Sequence, residues 1–502
     1  MQRFLPQHAS ARPWLFRLAV VATVVLVTGA MYMTISGYPS LRLVPYIPPT
    51  HTLTLGHPAF EDIREYERKL PQHRPPTFLT KTKPRYLFFP WEAWGTGWNN
   101  VFQEQLLNTH LAFLANRGYV FVDYIARDHP PFPDTLPNGT RHMLHIPMNA
   151  FTSGPTGGGS WGPGVDPSIS RPVSQRWWEV ACPTEKIVEV QLKDTMQELN
   201  ITDSTTGGER LMLWAEKLRR MPEECVSIIG GTPFDYVFIN TAKVIPLWDS
   251  YGHSPTLTQF AWSALITRAI SRNFPLLSSS PPPPTLAPIF HPTNPPSPLL
   301  LLPLTLFHPL PISAPPLPGL LAIHVRRGDY DQHCVNLANW GSDYNTWNKF
   351  SQPDVRKTGL YPALPDDLSV PEGMSRHDAA FAHCWPEVGE IVTRVREVRR
   401  DAEKQEGKTL KLRTLYIATN AERGWLDGLV ASLKEAGEGW EGVATSRDME
   451  LAPDEFTVSQ AVDMGVLVSA EVFIGNGFSS VTSNVVQLRI AGGKHANTSR
   501  FW

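Results

Sequence analysis

The stretch L-L-A-I-H-V-R-R-G-D-Y, running from Leu320 to Tyr330, decides how the chain is read. Leu320, Leu321, Ala322, Ile323 and Val325 surround His324 and then give way to Arg326, Arg327, Gly328 and Asp329. A short apolar run that stops at a turn signal predicts a buried strand, and α/β proteins place ligands in the loop after such a strand. Two arginines at that position are costly to bury without an anion to meet them. A guanidinium matches phosphate oxygens with a planar fork of donors and keeps its charge. Arg326 is therefore read as meeting a phosphate group, against the plainer alternative of two surface arginines at a strand end.

Downstream, Leu412–Thr419 and Glu471–Ile474 read as further strands, Gly442–Thr445 as a short one, and Glu422–Ala436 as a helix. His377–Lys404 and Ser459–Ser469 have helical character, and Asp331–Pro371 reads as a long polar excursion. The strand at 471–474 opens into G-N-G-F-S-S-V-T-S-N, Gly475 to Asn484, and a helix follows through Leu488. Small hydroxyl residues at a helix start either cap it or, with free backbone N–H groups, hold an anion. Ser479, Ser480 and Thr482 after two glycines favour the anion. Asp463 is either a solvated or capping carboxylate or an acceptor for a base edge such as guanine.

Upstream, Arg85–Phe89 predicts a strand, Gly95-Thr-Gly-Trp-Asn-Asn100 a glycine turn, Val101–Arg117 a helix and Tyr119–Tyr124 a second strand. That is one Rossmann-like unit. Asn100 stands where G-x-G-x-x-G needs its third glycine, so a dinucleotide reading is poor. Asp128–Trp178 is expected to be loop; Ile187–Leu199, Glu209–Arg220 and Leu257–Arg272 are expected to be helices, and Phe234–Asn240 a strand. Strands alternating with helices on both sides predict two parallel-sheet domains, 77–272 and 319–502.

Between them the composition breaks. Sixteen of the 44 residues from Pro275 to Pro318 are proline, and no Lys, Arg, Asp or Glu occurs from Asn273 to Val325. The 273–318 segment is expected to be a disordered linker. Its leucine-rich Leu299–Leu306 suits a solvated linker badly, and a translated intron would account for it.

At the other end, residues 1–17 are basic and 18–36 are apolar and uncharged, with a proline-rich stem at 37–76. Nineteen helical residues reach about 28 Å, close to a bilayer core. The expectation is an uncleaved transmembrane anchor with its basic side in the cytoplasm and the rest luminal. Three glycosylation sequons would then be usable: Asn138-Gly-Thr, Asn200-Ile-Thr and Asn497-Thr-Ser. The four cysteines, Cys182, Cys225, Cys334 and Cys384, lack C-x-x-C spacing, which argues against a zinc site and for two disulfides with three open connectivities. A net charge of −2 gives no bulk attraction to nucleic acid.

At Gly95–Asn100, Ile323–Tyr330 and Glu471–Asn484 the chain resembles the GDP-fucose fucosyltransferases of the protein O-fucosyltransferase and α1,6-fucosyltransferase superfamily. The resemblance implies an α/β, GT-B-like fold: two Rossmann-like domains facing a cleft, here preceded by the N-terminal transmembrane helix. It implies an inverting, metal-independent transfer of fucose from GDP-fucose to a protein or glycan acceptor, in the ER or Golgi membrane. No metal and no cofactor beyond the donor substrate are expected. By the same resemblance Arg326 would bind the β-phosphate and stabilise departing GDP, and His324 would pack beside the nucleotide or sugar. Asp463 would bind guanine. Ser479, Ser480 and Thr482 would hold the diphosphate. Gly97, Trp98 and Asn99 would face the donor from the other domain. The sequence departs from the pattern at Thr96, where some members carry a glutamate as general base. Asp329 and Glu92 are the substitutes considered, with Asp329 preferred as a catalytic candidate. Two alternatives are a GDP-sugar-binding protein without turnover, and a metal-dependent transferase using the D-x-D spacing of Asp329 and Asp331.

Overall fold

The computed structural model describes residues 60–74, 83–92, 96–126, 144–279, 316–404, 411–437 and 439–502. The expected anchor at 18–36, the sequon at Asn138 and most of the proline-rich segment lie outside the described residues. Among the described residues no helix is long and apolar enough to cross a membrane.

Twelve strands are described: β1 Tyr86–Phe88, β2 Gly118–Phe121, β3 Tyr124–Ala126, β4 Leu144–Ile146, β5 Val173–Ser174, β6 Ile187–Gln191, β7 Cys225–Ile229, β8 Leu317–Val325, β9 Thr414–Thr419, β10 Gly442–Thr445, β11 Ala470–Gly475 and β12 Ser499–Phe501. The longer helices are α1 Glu61–Arg68, α2 Trp98–Leu114, α3 Leu192–Glu198, α4 Gly207–Arg220, α5 Ala264–Arg272, α6 Tyr330–Asn339, α7 Arg376–Cys384, α8 Val388–Glu403, α9 Arg423–Glu435, α10 Ser459–Ser469 and α11 Ser480–Ala491.

Two five-stranded sheets form, in the orders β5-β2-β1-β7-β6 and β10-β9-β8-β11-β12, while β3 and β4 make a separate pair. All pairings within the two larger sheets are parallel. A parallel strand covered on both faces needs a continuous apolar run. β8 supplies one: Leu320, Leu321, Ala322, Ile323 and Val325 are fully buried. β8 is the centre of its sheet. The chain runs outward from it through β9 and β10, then returns on its other side as β11. The reversal between β8 and β11 is where open α/β sheets leave a crevice at the strand carboxyl ends.

Several expectations are corrected. Phe234–Asn240 is not a strand; Tyr236–Ile239 is a helical turn capped by Asp235, whose side chain accepts from the Phe238 N–H. The strand beside β1 is instead β7. Ile187–Leu199 is not one helix but β6 followed by α3. Leu257–Arg272 is broken, with Pro255–Thr258 separate from α5. Asp128–Trp178 is not all loop, since it holds β4, β5 and the helical turn Met148–Phe151. The excursion after Asp331 opens as α6, and Phe274–Leu277 inside the expected linker is helical. The α1 segment, read as the end of the stem, is docked: Phe60 and Leu70 are buried and Arg64 pairs with Asp123.

The four cysteines form two disulfides, Cys182–Cys225 and Cys334–Cys384, with Cα atoms 5.8 and 5.7 Å apart. The first ties the helix Gln175–Ala181 to β7, and the second ties α6 to α7.

Candidate functional site

Three segments meet at the β8/β11 reversal. The first is the carboxyl end of β8. His324 is buried there, and its Nδ1 lies 3.1 Å from the Thr482 hydroxyl. Burial, helped by the charge of Arg326, lowers its pKa to about 3. The imidazole is therefore neutral near pH 7 and serves as a fixed hydrogen-bonding wall rather than a proton carrier.

The two arginines that follow have different surroundings. Arg327 is buried, with its guanidinium between the rings of Trp385 and Trp425 at 4.4 and 4.3 Å. It donates to the carbonyls of Arg326 and Pro386, and its own N–H donates to Asn420 Oδ1 at 2.8 Å. Burial brings its pKa down to about 10. Arg326 keeps 23% of its side chain in solvent. It lies 4.6 Å over the Tyr330 ring and 3.7 Å from the exposed Asp329 carboxylate. Tyr330 in turn donates to the Phe478 carbonyl at 3.3 Å, which ties Arg326 to the second segment. Gly328 makes the turn with φ +65°, a conformation that costs a side-chain-bearing residue.

The second segment is the turn 475–479 and the start of α11. Ser479 caps the helix, its hydroxyl accepting from the Val481 N–H. Thr482 Oγ1 is enclosed and accepts from the Asn476 N–H at 3.1 Å beside its contact with His324. Ser480, the first residue of α11, is half-buried, whereas Ser479 and Thr482 are buried. The glycines here serve packing and not a ligand's approach. A Cβ on Gly477 would sit 2.5 Å from the Tyr344 ring, and one on Gly475 would sit 2.4 Å from Thr482 Cγ2.

The third segment is the start of α2, from the other sheet. Gly97 is exposed, and a Cβ there would meet nothing within 4 Å. Trp98 is a core aromatic stacked on Phe102 and Phe151 at 4.9 and 4.5 Å. Asn99 is buried; its carbonyl and Oδ1 both accept from Asn484 Nδ2 at 2.9 Å, while its Nδ2 has no hydrogen-bond partner among the described residues. An unsatisfied buried donor at the junction of two helix ends is the kind of group a ligand oxygen satisfies.

Asp463 lies apart, half-buried on α10 beside β9 and β10. It accepts from Tyr416 at 2.5 Å and from Ser446 at 2.9 Å. Burial raises its pKa to about 6. Of the two substitute bases, Glu92 is buried; it accepts from the Tyr119 hydroxyl and, at 2.7 Å, from Asn108 Nδ2. Burial and then the nearby Glu104 carry its pKa up to about 8. Asp329 has 85% of its side chain in solvent. Thr96 is half-exposed beside Gly97.

The polar network that fixes these segments was not foreseen. Gln487 donates to Asn484 at 2.7 Å and accepts from Tyr251 at 2.9 Å. Gln103 on α2 donates to Ser483 at 2.6 Å, and Trp347 N–H reaches the same hydroxyl at 3.1 Å. Its trace in sequence is the scatter of Gln and Asn through otherwise apolar helices, at Gln103, Gln105, Asn108, Asn484 and Gln487.

No family model matches the chain, and no curated protein does. Among solved structures it is similar to POFUT1 in complex with GDP, at 13% identity over 84% of this chain and 99% of that chain, with a TM-score of 0.47. A second similar structure is POFUT1 in complex with GDP-fucose, at 14% identity over 84% of this chain and 99% of that chain, with a TM-score of 0.47.

Proposed function

We propose that this chain is an inverting, metal-independent glycosyltransferase that moves fucose from GDP-fucose to a protein or glycan acceptor. The observation that carries the reading is the placement of Arg326. It leaves the central strand at the sheet's reversal point, partly open to solvent, over the Tyr330 ring that bonds the 475–479 turn before α11. In this reading Arg326 and the start of α11 receive the diphosphate. Electrostatic stabilisation of that leaving group is then the main lever on the barrier. His324 and Thr482 act as positioning residues, Ser479 holds the helix end, and Ser480 and Asn99 Nδ2 face the donor. Asp463 receives the guanine edge on the lone pairs that Tyr416 and Ser446 do not use. The catalytic assignment is Arg326, with Asp329 as the exposed carboxylate nearest to it. The donor side is the motif resemblance at 323–330 and 471–484 joined to this geometry.

We further propose a luminal, membrane-anchored location in the ER or Golgi. The two disulfides, which belong to an oxidising compartment, support it.

A second reading, binding of a GDP-sugar without turnover, is favoured by Thr96 at the position of the family glutamate and by the burial of Glu92. The test is a thermal-shift and turnover series on the purified protein with GDP, GDP-fucose, GDP-mannose and UDP-sugars, with and without EDTA. Stabilisation by GDP and GDP-fucose with fucose release or transfer is expected. Stabilisation without turnover supports the second reading. Activity abolished by EDTA and restored by a divalent cation would move the chemistry to Asp329 and Asp331. No response to any guanine nucleotide refutes the proposal.

A further inference from the structure

A shallow, open surface depression of about 760 Å³ lies far from β8 in sequence and is lined by Asn200, Thr202, Ser204, Thr205, Glu209, Met212, Leu213 and Glu216. Met212 and Leu213 on α4 are 52% and 37% exposed. The same lining includes three hydroxyls and two carboxylates, so the depression offers apolar surface together with hydrogen-bonding groups. Sugar rings present that same pairing, with apolar C–H faces and hydroxyl edges.

One side chain in the lining can carry a sugar covalently. Asn200 ends the α3 turn in the left-handed conformation, φ +52°, with Ile201 buried beneath it. Asn200 and Thr202 are both exposed, and together they complete Asn-Ile-Thr. Thr202 is held by Ser204 and Thr205 at 2.8 and 2.9 Å, which keeps the turn ordered while its asparagine faces out.

We propose that Asn200 is N-glycosylated and that its proximal sugars lie in this depression over Met212 and Leu213. The inference needs the secretory compartment, which the disulfides support independently of the donor assignment. In the modification the Asn200 amide nitrogen bonds to C1 of an oligosaccharide carried on a polyprenyl pyrophosphate. The C1–O bond to pyrophosphate breaks, the pyrophosphate lipid leaves with the electron pair, and the amide gives up one proton.

The full chain, expressed in a eukaryotic secretory host, is mapped by glycopeptide mass spectrometry. A glycan at Asn200 is expected, lost in Asn200→Gln and Thr202→Ala and retained in Thr202→Ser. Native removal of the glycan is then followed by timed peroxide treatment, and Met212 should oxidise several-fold faster than in the glycosylated protein. An unmodified Asn200 overturns the inference. If Asn497 carries a glycan while Asn200 does not, the secretory reading stands and this inference alone fails. An unchanged Met212 oxidation rate overturns the placement in the depression.

Discussion

Arg326 and Arg327 are adjacent and chemically identical, and their surroundings predict opposite consequences for removing each. In Arg326→Ala the lost contacts are an ion pair at 3.7 Å to an exposed carboxylate and one aromatic contact at 4.6 Å. An exposed pair contributes about 0–1 kcal/mol and such a ring contact about 0.5–1 kcal/mol. Folding stability should therefore fall by no more than about 1–2 kcal/mol. Turnover should fall about 10²–10³-fold, the usual effect of removing one group aimed at developing charge. Arg327→Ala empties a slot between two tryptophans and leaves the Pro386 carbonyl without its donor. Two desolvated ring contacts and a charged hydrogen bond predict a loss of about 3–5 kcal/mol. The assay pairs urea unfolding with GDP-fucose turnover and calorimetric GDP binding for both variants and for Arg326→Lys. The lysine keeps the charge but not the fork, so it should recover part of the binding. The reasoning is refuted if Arg326→Ala binds GDP as wild type does, or if the two alanine variants lose equal stability.

Glu92 has a folded-state pKa raised to about 8 from 4.5, so the native state holds a proton that the unfolded chain releases, and stability should decline as pH rises from about 5 to 8. Glu92→Gln should flatten that slope, by up to about 1.4 kcal/mol per pH unit, in thermal melts across the range; an unchanged slope sinks the assignment. Asn484→Ala removes the donor to Asn99 and the acceptor for Gln487, and should cost about 2–4 kcal/mol and speed hydrogen exchange at the starts of both α2 and α11. Protection changes confined to α11 would count against a bridge between the halves. Non-reducing peptide mapping should recover Cys182–Cys225 and Cys334–Cys384, and Cys334→Ala with Cys384→Ala should cost about 3–4 kcal/mol by freeing a 50-residue separation in the unfolded chain.

How much of this was legible follows from what each residue's neighbours are. β8 could be read because a central parallel strand buries both faces and needs nothing but an apolar run and a stop. β10 and α10 match their expected bounds for similar reasons of local pattern. Cys225–Ile229 was missed because a five-residue strand of C-V-S-I-I gives little signal, while F-D-Y-V-F-I-N nearby looks more strand-like. There the Asp235 cap decided for a helical turn, and a cap competes with propensity over so few residues. β6 and α3 were merged because no glycine or proline separates Gln191 from Leu192. The difference between Arg326 and Arg327 was illegible in principle: Trp385 and Trp425, distant in the chain, choose which guanidinium is enclosed.

The junction of the two halves gives the proposed diphosphate a physical ground that a neutral ligand lacks. Asn99 stands in the first turn of α2 and Asn484 in the second turn of α11, and their hydrogen bonds hold the two helix starts together. Each helix start carries the positive end of a macrodipole, equivalent to about half a charge, so the contact sets like signs side by side. Neither helix has an acidic residue in its first turn to offset this. His324 beside them is neutral and Arg326 adds a full positive charge, with Asp329 exposed to solvent as its nearby carboxylate. A diphosphate relieves that crowding of positive ends, whereas an uncharged sugar alone leaves it in place. Added salt should therefore stabilise the empty protein and weaken GDP binding, because screening acts on both terms. GDP affinity independent of ionic strength would break the link between this junction and its ligand.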